Sequence, residues 1–142
     1  MSDSLIDKYR LQNQFGRLIG MDFTIIKAGE VDYKLTLVEK HLATPKAAHG
    51  GLISSLVDAA LGVAGLSAVY EENKVVSTVE YKLNFLNPAL LNDELLAKAK
   101  VEQKGKRLLI ISCDVYAVNR NNLLIAKALG TFNSYDATKA GY

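Results

Sequence analysis

A Gly-Gly pair and the long apolar run after it organise the rest of this chain: Ala48-His49-Gly50-Gly51-Leu52-Ile53-Ser54-Ser55-Leu56-Val57-Asp58-Ala59-Ala60-Leu61-Gly62-Val63-Ala64-Gly65. The pattern predicts a turn that leads into a helix with apolar residues on nearly every side. Such a helix is buried, because none of its sides suits water. Asp58 interrupts the apolar run, and an unpaired carboxylate in a protein core costs free energy. Asp58 therefore has either a structural partner or a chemical function.

Length and composition limit the class of protein. The chain has 142 residues, of which 49% are hydrophobic and 23% charged, and this predicts one globular domain over residues 1–142. Its 17 basic and 15 acidic residues are too evenly balanced to indicate binding to nucleic acid or to a membrane surface. One cysteine excludes an internal disulfide, and two histidines without zinc-ligand spacing indicate no metal site.

The same sequence predicts a cytoplasmic location. The N-terminal residues include Asp3 and Asp7 and contain no long apolar run, so they resemble neither a signal peptide nor a transmembrane segment. The apolar helix from residue 56 to 69 is interrupted by Asp58 and by small residues. We expect it to be too short to span a bilayer.

Periodicity along the chain predicts an α+β fold. A short amphipathic helix is expected over residues 4–16, within an N-terminal segment 1–16, and the tail 136–142 is expected to fray. Alternating apolar residues predict strands at 23–27, 31–37, 75–86, 95–101, 108–118 and 123–133. An antiparallel sheet has to cover its apolar face, and the one buried helix is available for this. The simplest arrangement is a long central helix wrapped by a curved antiparallel sheet of about five to six strands.

One side of the predicted helix carries small residues around the carboxylate. At about 100° per residue, Ser55, Asp58, Gly62 and Gly65 fall within an arc of roughly 80°. Small residues allow another surface to come close, and the carboxylate gives that surface a polar group to contact. We therefore expect a dimer.

The two glycines before the helix supply a second chemical group. The first backbone N–H groups of a helix have no partner within the helix and lie at the positive end of its dipole. At Gly50 and Gly51 another molecule has room to approach those N–H groups. An N–H donor and a carboxylate on one helix are sufficient to polarise a carbonyl and to activate a water, or to attack the carbonyl directly.

The motif His49-Gly50-Gly51, followed by Leu56-Val57-Asp58, resembles the signature of hotdog-fold acyl-CoA thioesterases. The most similar branch contains the phenylacetate-degradation thioesterase PaaI and thioesterase superfamily member 2. The resemblance runs from about residue 15 to 135 and includes Asn87-Pro88 and the hairpin Gln103-Lys104-Gly105-Lys106. It implies a hotdog fold, hydrolysis of an acyl- or aryl-CoA to free acid and coenzyme A, and no cofactor. It also implies a homodimer that pairs again into a homotetramer.

The resemblance implies roles for individual residues as well. The Gly50 N–H would hold the thioester oxygen, and Asp58 would act as general base or nucleophile. The Thr78 hydroxyl would orient the attacking water. Gly50 of one subunit would face Asp58 and Thr78 of the other.

The chain departs from this family at one position. Relatives often have Asn or Gln six or seven residues before the His-Gly-Gly motif, also in contact with the thioester. This chain has Leu42 and Ala43 there, with His41 and Thr44 as the nearest polar side chains. The set of groups that binds the carbonyl is therefore incomplete, and Thr44 is a candidate contact in its place.

Several candidate residues also have structural interpretations. Asp58 could be hydrogen-bonded to a backbone group or to Ser54, and His49 orients the turn more readily than it transfers protons. Strand alternation places Thr78 on one face with Glu80, so it points to water, to a partner or to a site.

The candidate contacts with coenzyme A are open to a structural interpretation too. Ser55 lies beside Asp58 on the predicted helix and is a candidate substrate contact. Lys104, Lys106 and Arg107 flank a turn, where they form either a solvated tip or a binding site for the phosphoryl groups of coenzyme A.

Two other functions remain open. A hotdog enoyl-CoA hydratase or dehydratase needs a histidine paired with a carboxylate, which His49 and Asp58 could supply. A non-catalytic acyl-CoA-binding protein is consistent with the missing Asn or Gln, although the presence of Asp58 opposes it.

Overall fold

In the computed structural model, which describes residues 4–142, a six-stranded antiparallel sheet surrounds one long helix. Its strands follow the order β1-β2-β4-β5-β6-β3, so β1 and β3 are the edges. The helices and strands are α1 (Leu5–Gln12), α2 (Gln14–Ile19), β1 (Met21–Lys27), β2 (Glu30–Thr36), α3 (Gly50–Val69), β3 (Lys74–Phe85), β4 (Glu94–Lys104), β5 (Leu108–Ala117) and β6 (Leu123–Asp136). This is the hotdog arrangement, and the predicted fold class is confirmed.

The core lies between α3 and the inner face of the sheet. Helix α3 contacts all six strands, so the sheet has to curve around it. Leu56, Val57, Ala60 and Leu61 of this helix have no exposed surface. Burial of such side chains contributes about 1.5–3 kcal/mol for each large aliphatic residue.

Helix α3 is longer than the sequence interpretation allowed. With the helical turn that follows it, the segment Gly50–Glu72 has 23 residues and is long and apolar enough to span a membrane. The prediction that it is too short is therefore wrong. Most of the segment is buried inside the protein, which makes it the core helix of the domain.

The N-terminal segment also differs from its prediction, because two helices replace one. Asn13 has a non-helical ψ of 72° and ends α1. Its side-chain Oδ1 accepts a 3.0 Å hydrogen bond from the Gly16 N–H and so caps α2. An asparagine within an amphipathic pattern favours such a break, since its side chain competes for backbone N–H groups.

The tail 136–142 does not show the expected fraying. Strand β6 continues to Asp136, and a short 3-10 helix covers Ala137–Ala140. The Ala137 N–H donates to the Asn73 carbonyl at 3.0 Å, and the Ala137 side chain is 1% exposed. Contact with the turn after α3 therefore orders a segment whose own sequence is polar.

Candidate active site

The turn before α3 gives its two glycine N–H groups different environments. His49 is the N-cap of α3, and its Nδ1 accepts a 2.8 Å hydrogen bond from the Gly51 N–H. Gly50 is exposed, and its N–H has no hydrogen-bond partner among residues 4–142. Of the two N–H groups in the sequence hypothesis, only that of Gly50 is available to a ligand, while His49 orients the turn.

Three residues of α3 at intervals of four, Gly50, Ser54 and Asp58, face the edge strand β3. A Cβ on Gly50 would lie 3.5 Å from the Phe85 ring, and Ser54 Oγ lies 2.6 Å from the Tyr81 hydroxyl. The Thr78 hydroxyl donates a 2.7 Å hydrogen bond to Oδ1 of Asp58. Asp58 is therefore hydrogen-bonded to Thr78, whereas the suggested partner Ser54 is bonded to Tyr81.

A β-bulge brings Thr78 to the helix. The register between β3 and β6 shifts between Thr78 and Glu80, so Val79 is an extra residue in the edge strand. Thr78 and Tyr81 consequently both face α3, although they are three residues apart. The predicted shared face of Thr78 and Glu80 is wrong, because regular alternation does not continue through a bulge.

Asp58 and Thr78 line a cavity of about 430 Å³. Ser55 is on the same wall, where its hydroxyl donates to the Gly51 carbonyl at 2.8 Å. Other walls come from distant parts of the chain and include Tyr9, Phe15, Phe132, Tyr135 and Tyr142. The cavity thus places one carboxylate and the hydroxyl groups of Ser55 and Thr78 beside a surface that is partly aliphatic and partly aromatic.

Gly50 lies in a different cavity from Asp58. Its cavity has a volume of about 250 Å³ and is lined by Phe85 and Pro88 among others. Gly50 and Asp58 are eight residues apart in α3, or about 12 Å along the helix axis. One thioester carbonyl does not reach both groups within a single protomer.

The segment before the helix holds the position where the family resemblance predicts Asn or Gln. Thr44 is exposed, and its Oγ1 accepts a 3.0 Å hydrogen bond from the Ala47 N–H. His41 is buried, with its Nε2 2.7 Å from the Ile19 carbonyl and its Nδ1 bonded to the Val38 N–H. The structure therefore places both polar side chains in local hydrogen bonds that shape this loop.

The three basic candidates at the β4–β5 turn are not equivalent. Lys104 Nζ donates to Glu72 and, at 2.9 Å, to the Ala68 carbonyl at the end of α3. The hydrogen bond from Lys104 is the main reason that the pKa of Glu72 is lowered. Lys106 is exposed, and the one hydrogen bond of the Arg107 side chain with residues 4–142 is long, 3.4 Å to Asn133. Lys106 and Arg107 are therefore more available to a ligand than Lys104.

The sequence interpretation named Ser54 only as a structural partner of Asp58 and did not connect Tyr9 with this site. Ser54 is spaced four residues from both Gly50 and Asp58, and this spacing places it on their face of the helix. Tyr9 enters the cavity from α1, and no local pattern connects it with Asp58. The pKa of Tyr9 is raised, mainly by burial and also by the nearby charge of Asp58.

Comparison with known proteins identifies the family of this chain. A family model described as the thioesterase superfamily matches residues 46–123, which is more than half of the chain. The chain belongs to the thioesterase superfamily. The matched region contains Gly50, Asp58 and Thr78, whereas the cavity walls from α1 and from Tyr142 lie outside it.

Two relatives of this superfamily member illustrate the range of sequence similarity. A protein of Saccharolobus solfataricus that carries an esterase name is 32% identical over 142 residues, which is 99% of this chain and 90% of that protein. Acyl-coenzyme A thioesterase 13 of Homo sapiens is 29% identical over 103 residues, which is 71% of each chain.

Solved structures show the same fold. The PaaI protein of Escherichia coli, from the phenylacetic acid degradation operon, aligns with a TM-score of 0.83 at 20% identity, covering 91% of this chain and 89% of that one. A Streptococcus mutans protein bound to acetyl-CoA aligns with a TM-score of 0.73 at 24% identity, covering 82% and 89%.

The groups at this site support acid–base or nucleophilic chemistry. Within residues 4–142, no three His, Cys, Asp or Glu side chains form a cluster suited to a metal ion. Asp58 offers a carboxylate and Thr78 a hydroxyl in one cavity, and Gly50 offers an N–H donor in another. These are the groups needed to add water to a carbonyl.

Proposed function

We propose that this member of the thioesterase superfamily hydrolyses acyl-CoA thioesters to free acid and coenzyme A. The observation that carries the proposal is the Asp58 carboxylate, hydrogen-bonded by Thr78 in the wall of a cavity. The human relative named acyl-coenzyme A thioesterase and the streptococcal structure with acetyl-CoA support this choice of substrate.

Asp58 takes the central role in the proposed reaction. Thr78 donates to Oδ1, whereas Oδ2 accepts no hydrogen bond from residues 4–142. As general base, Asp58 removes a proton from water while the water oxygen bonds to the carbonyl carbon. The C–S bond then breaks, and the proton passes to the sulfur of coenzyme A. As nucleophile, Asp58 would bond to the carbonyl carbon while the C–S bond breaks, which gives an anhydride and the thiolate of coenzyme A. Water then hydrolyses the anhydride to the free acid and the Asp58 carboxylate, and a proton from that water passes to the thiolate.

The proposed active site is shared between two subunits. A separation of about 12 Å along α3 supports a role for Gly50 at the Asp58 of another protomer. The unpaired edge of β3 provides a surface for this partner, since Val79 is 56% and Phe85 58% exposed there. We propose a homodimer in which the Gly50 N–H of one subunit polarises the carbonyl attacked at Asp58 of the other. Two such dimers would form the tetramer.

Coenzyme A requires cationic contacts for its phosphoryl groups. We assign Lys106 and Arg107 to this role, because Lys104 is already bonded to Glu72 and to the end of α3. Ser55, in the cavity wall beside Asp58, is the proposed contact with the thioester end of the substrate. Thr44 contributes through the loop that it shapes.

One observation supports an alternative function, the binding of acyl-CoA without hydrolysis. Leu42 and Ala43 occupy the position where relatives have Asn or Gln, so a protein that binds acyl-CoA without hydrolysing it remains the second candidate. A hydratase is less well supported. His49 Nδ1 is bonded to Gly51, and nine residues of helix, about 13 Å, separate His49 from Asp58.

A thiol-release assay tests the proposed function. Purified wild type, Asp58→Asn and the control Asp32→Asn are each supplied with a panel of acyl-CoAs, and free coenzyme A is measured with a thiol reagent. Asp32 pairs with Lys98 on the sheet surface, so its variant controls for the loss of a carboxylate. We expect wild-type and control turnover, and at least a 100-fold loss in Asp58→Asn.

The other outcomes identify the alternatives. Turnover that is unchanged in Asp58→Asn would refute the proposed mechanism. Saturable binding of acyl-CoA without thiol release by wild type would favour the non-catalytic protein. Consumption of enoyl-CoA without thiol release would favour a hydratase.

A further inference from the structure

We propose that the cavity beside Asp58 holds a straight acyl chain along α3, and that Tyr142 at its far end limits the length of that chain. The inference rests on the proposed thioesterase function and specifies its substrate class. It concerns residues from both ends of the described chain, which lie outside the matched family region.

The cavity is elongated along the helix. Its α3 wall runs from Ser55 through Asp58 and Gly62 to Leu66. From Asp58 to Leu66 the helix rises about 12 Å. The carboxylate therefore stands near one end of the cavity, and a group attached to the reacting carbonyl has to extend toward Leu66.

Gly62 leaves space in the middle of this path. A Cβ at Gly62 would lie 3.5 Å from Phe132, which is an ordinary van der Waals contact. A Cβ at Gly65, by contrast, would lie 3.0 Å from Ile111 Cδ1, closer than an ordinary contact, so the Ile111 side chain would have to shift. Because packing does not require a glycine at position 62, we infer that its missing side chain keeps the cavity open.

Tyr142 lines the cavity, and its backbone is held beyond the C-terminal end of α3, the end that lies away from Asp58. The chain carrying it is anchored beside the end of α3, because the Tyr142 N–H donates to Ala137 and the Ala137 N–H donates to Asn73. Tyr135 also lines the cavity and pairs with Val75 at the start of β3. These residues form an end wall that is attached to the fold by backbone hydrogen bonds.

The length of the cavity points to a medium-chain acyl group. An extended chain with C–C bonds of about 1.5 Å advances about 1.3 Å per carbon, so a path of about 12 Å accommodates roughly nine carbons. Tyr9 and Phe15 line the same cavity from the N-terminal side and give it an apolar cover. Octanoyl- and decanoyl-CoA fit this space, and chains of sixteen carbons exceed it.

The dependence of kcat/KM on acyl length tests the proposal. Wild type, Tyr142→Ala, Gly62→Ala and the control Tyr116→Ala are assayed with acyl-CoAs of two to sixteen carbons and with phenylacetyl-CoA. Tyr116 lies on β5 and contacts Asp114, away from the cavity, so Tyr116→Ala controls for the loss of a tyrosine. Circular dichroism and thermal unfolding establish that each variant is folded.

We expect the wild-type optimum at eight to ten carbons. Removal of the Tyr142 ring, about 6 Å long, should move this optimum by about four carbons toward longer chains. Gly62→Ala should lower kcat/KM at least tenfold for decanoyl-CoA and less for acetyl-CoA. Tyr116→Ala should match wild type.

An unchanged length profile in both Tyr142→Ala and Gly62→Ala would overturn the inference while leaving the thioesterase function intact. A wild-type preference for phenylacetyl-CoA over every straight chain would also overturn it. If wild type releases no thiol from any substrate, the proposed function itself fails. If Tyr142→Ala does not fold, Gly62→Ala decides, because its added methyl group fits the fold.

Discussion

The Thr78 hydroxyl donates a 2.7 Å hydrogen bond to Oδ1 of Asp58, from an edge strand to the central helix. This contact depends on the bulge at Val79, which turns Thr78 toward α3. The bond fixes one oxygen of the carboxylate and leaves the other for water. In the proposed mechanism, Thr78 is therefore the residue that orients Asp58.

Replacing Thr78 tests this orientation. We expect Thr78→Val to lower kcat for thiol release about tenfold, since the lost hydrogen bond contributes about 1–1.5 kcal/mol. Thr78→Ser retains the hydroxyl and should recover most of the activity. Equal activity of the valine and serine variants would show that the hydroxyl has no part in the reaction.

Gly50→Pro removes the proposed oxyanion donor with little effect on the helix. Gly50 is the first residue of α3, where proline is well tolerated, and His49 before it has the extended conformation that proline requires (φ −62°, ψ 136°). We expect kcat to fall about 100-fold or more, with the free energy of unfolding within about 1 kcal/mol of wild type.

Gly50→Ala is the matched control for this variant. It keeps the N–H, and its Cβ makes only an ordinary contact with Phe85 at 3.5 Å. We expect it to retain most of the activity. Comparable losses in Gly50→Ala and Gly50→Pro would attribute the effect to steric contact instead of the missing N–H.

Mixing inactive variants tests whether the site spans two subunits. In a heterodimer of Gly50→Pro and Asp58→Asn, one of the two sites combines an intact Gly50 with an intact Asp58. Random exchange at equal concentrations should restore about a quarter of wild-type turnover. The measurement is thiol release after co-refolding, with each variant refolded alone as the control. No recovery from verified heterodimers would place both groups in one protomer.

Asp93 should make stability depend on pH. It is 2% exposed and bonded to Arg120 at 2.6 Å and 2.9 Å. Burial alone would raise the pKa of Asp93, but the hydrogen bonds from Arg120, the Leu90 N–H and Asn119 outweigh burial and lower the pKa. Because its pKa is lower in the folded state, Asp93 stabilises the protein above the unfolded-state pKa of about 3.9. This contribution is lost as the pH falls through the folded-state value.

Asp93→Asn measures that contribution. We expect the variant to lose about 3 kcal/mol of unfolding free energy at pH 7, as is typical when a buried ion pair is broken. The difference from wild type should shrink over the range of pH below about 4. Urea unfolding followed by circular dichroism gives both values, with Asp32→Asn as the surface control. A difference that stays constant over this range would contradict the assignment.

The local patterns of the chain were enough to predict the fold class. Apolar residues on all sides of residues 52–69 indicated a buried helix, and period-two alternation indicated the strands, because both patterns record which side chains avoid water. The same patterns identified Gly50, Gly51 and Asp58 as candidate site residues. A pair of glycines at the start of an apolar helix is unusual, and so is a carboxylate within it.

Only the tertiary structure decided which of these groups meet. Thr78 reaches Asp58 because of a bulge that strand alternation does not reveal, and Gly50 and Asp58 are kept apart by about 12 Å of helix. Tyr9 and Tyr142, which are far from Asp58 in the sequence, line the same cavity as Asp58. Such contacts depend on strand register and on the packing of distant segments. Local patterns carry no information on either, because they report only whether a side chain faces water or the core.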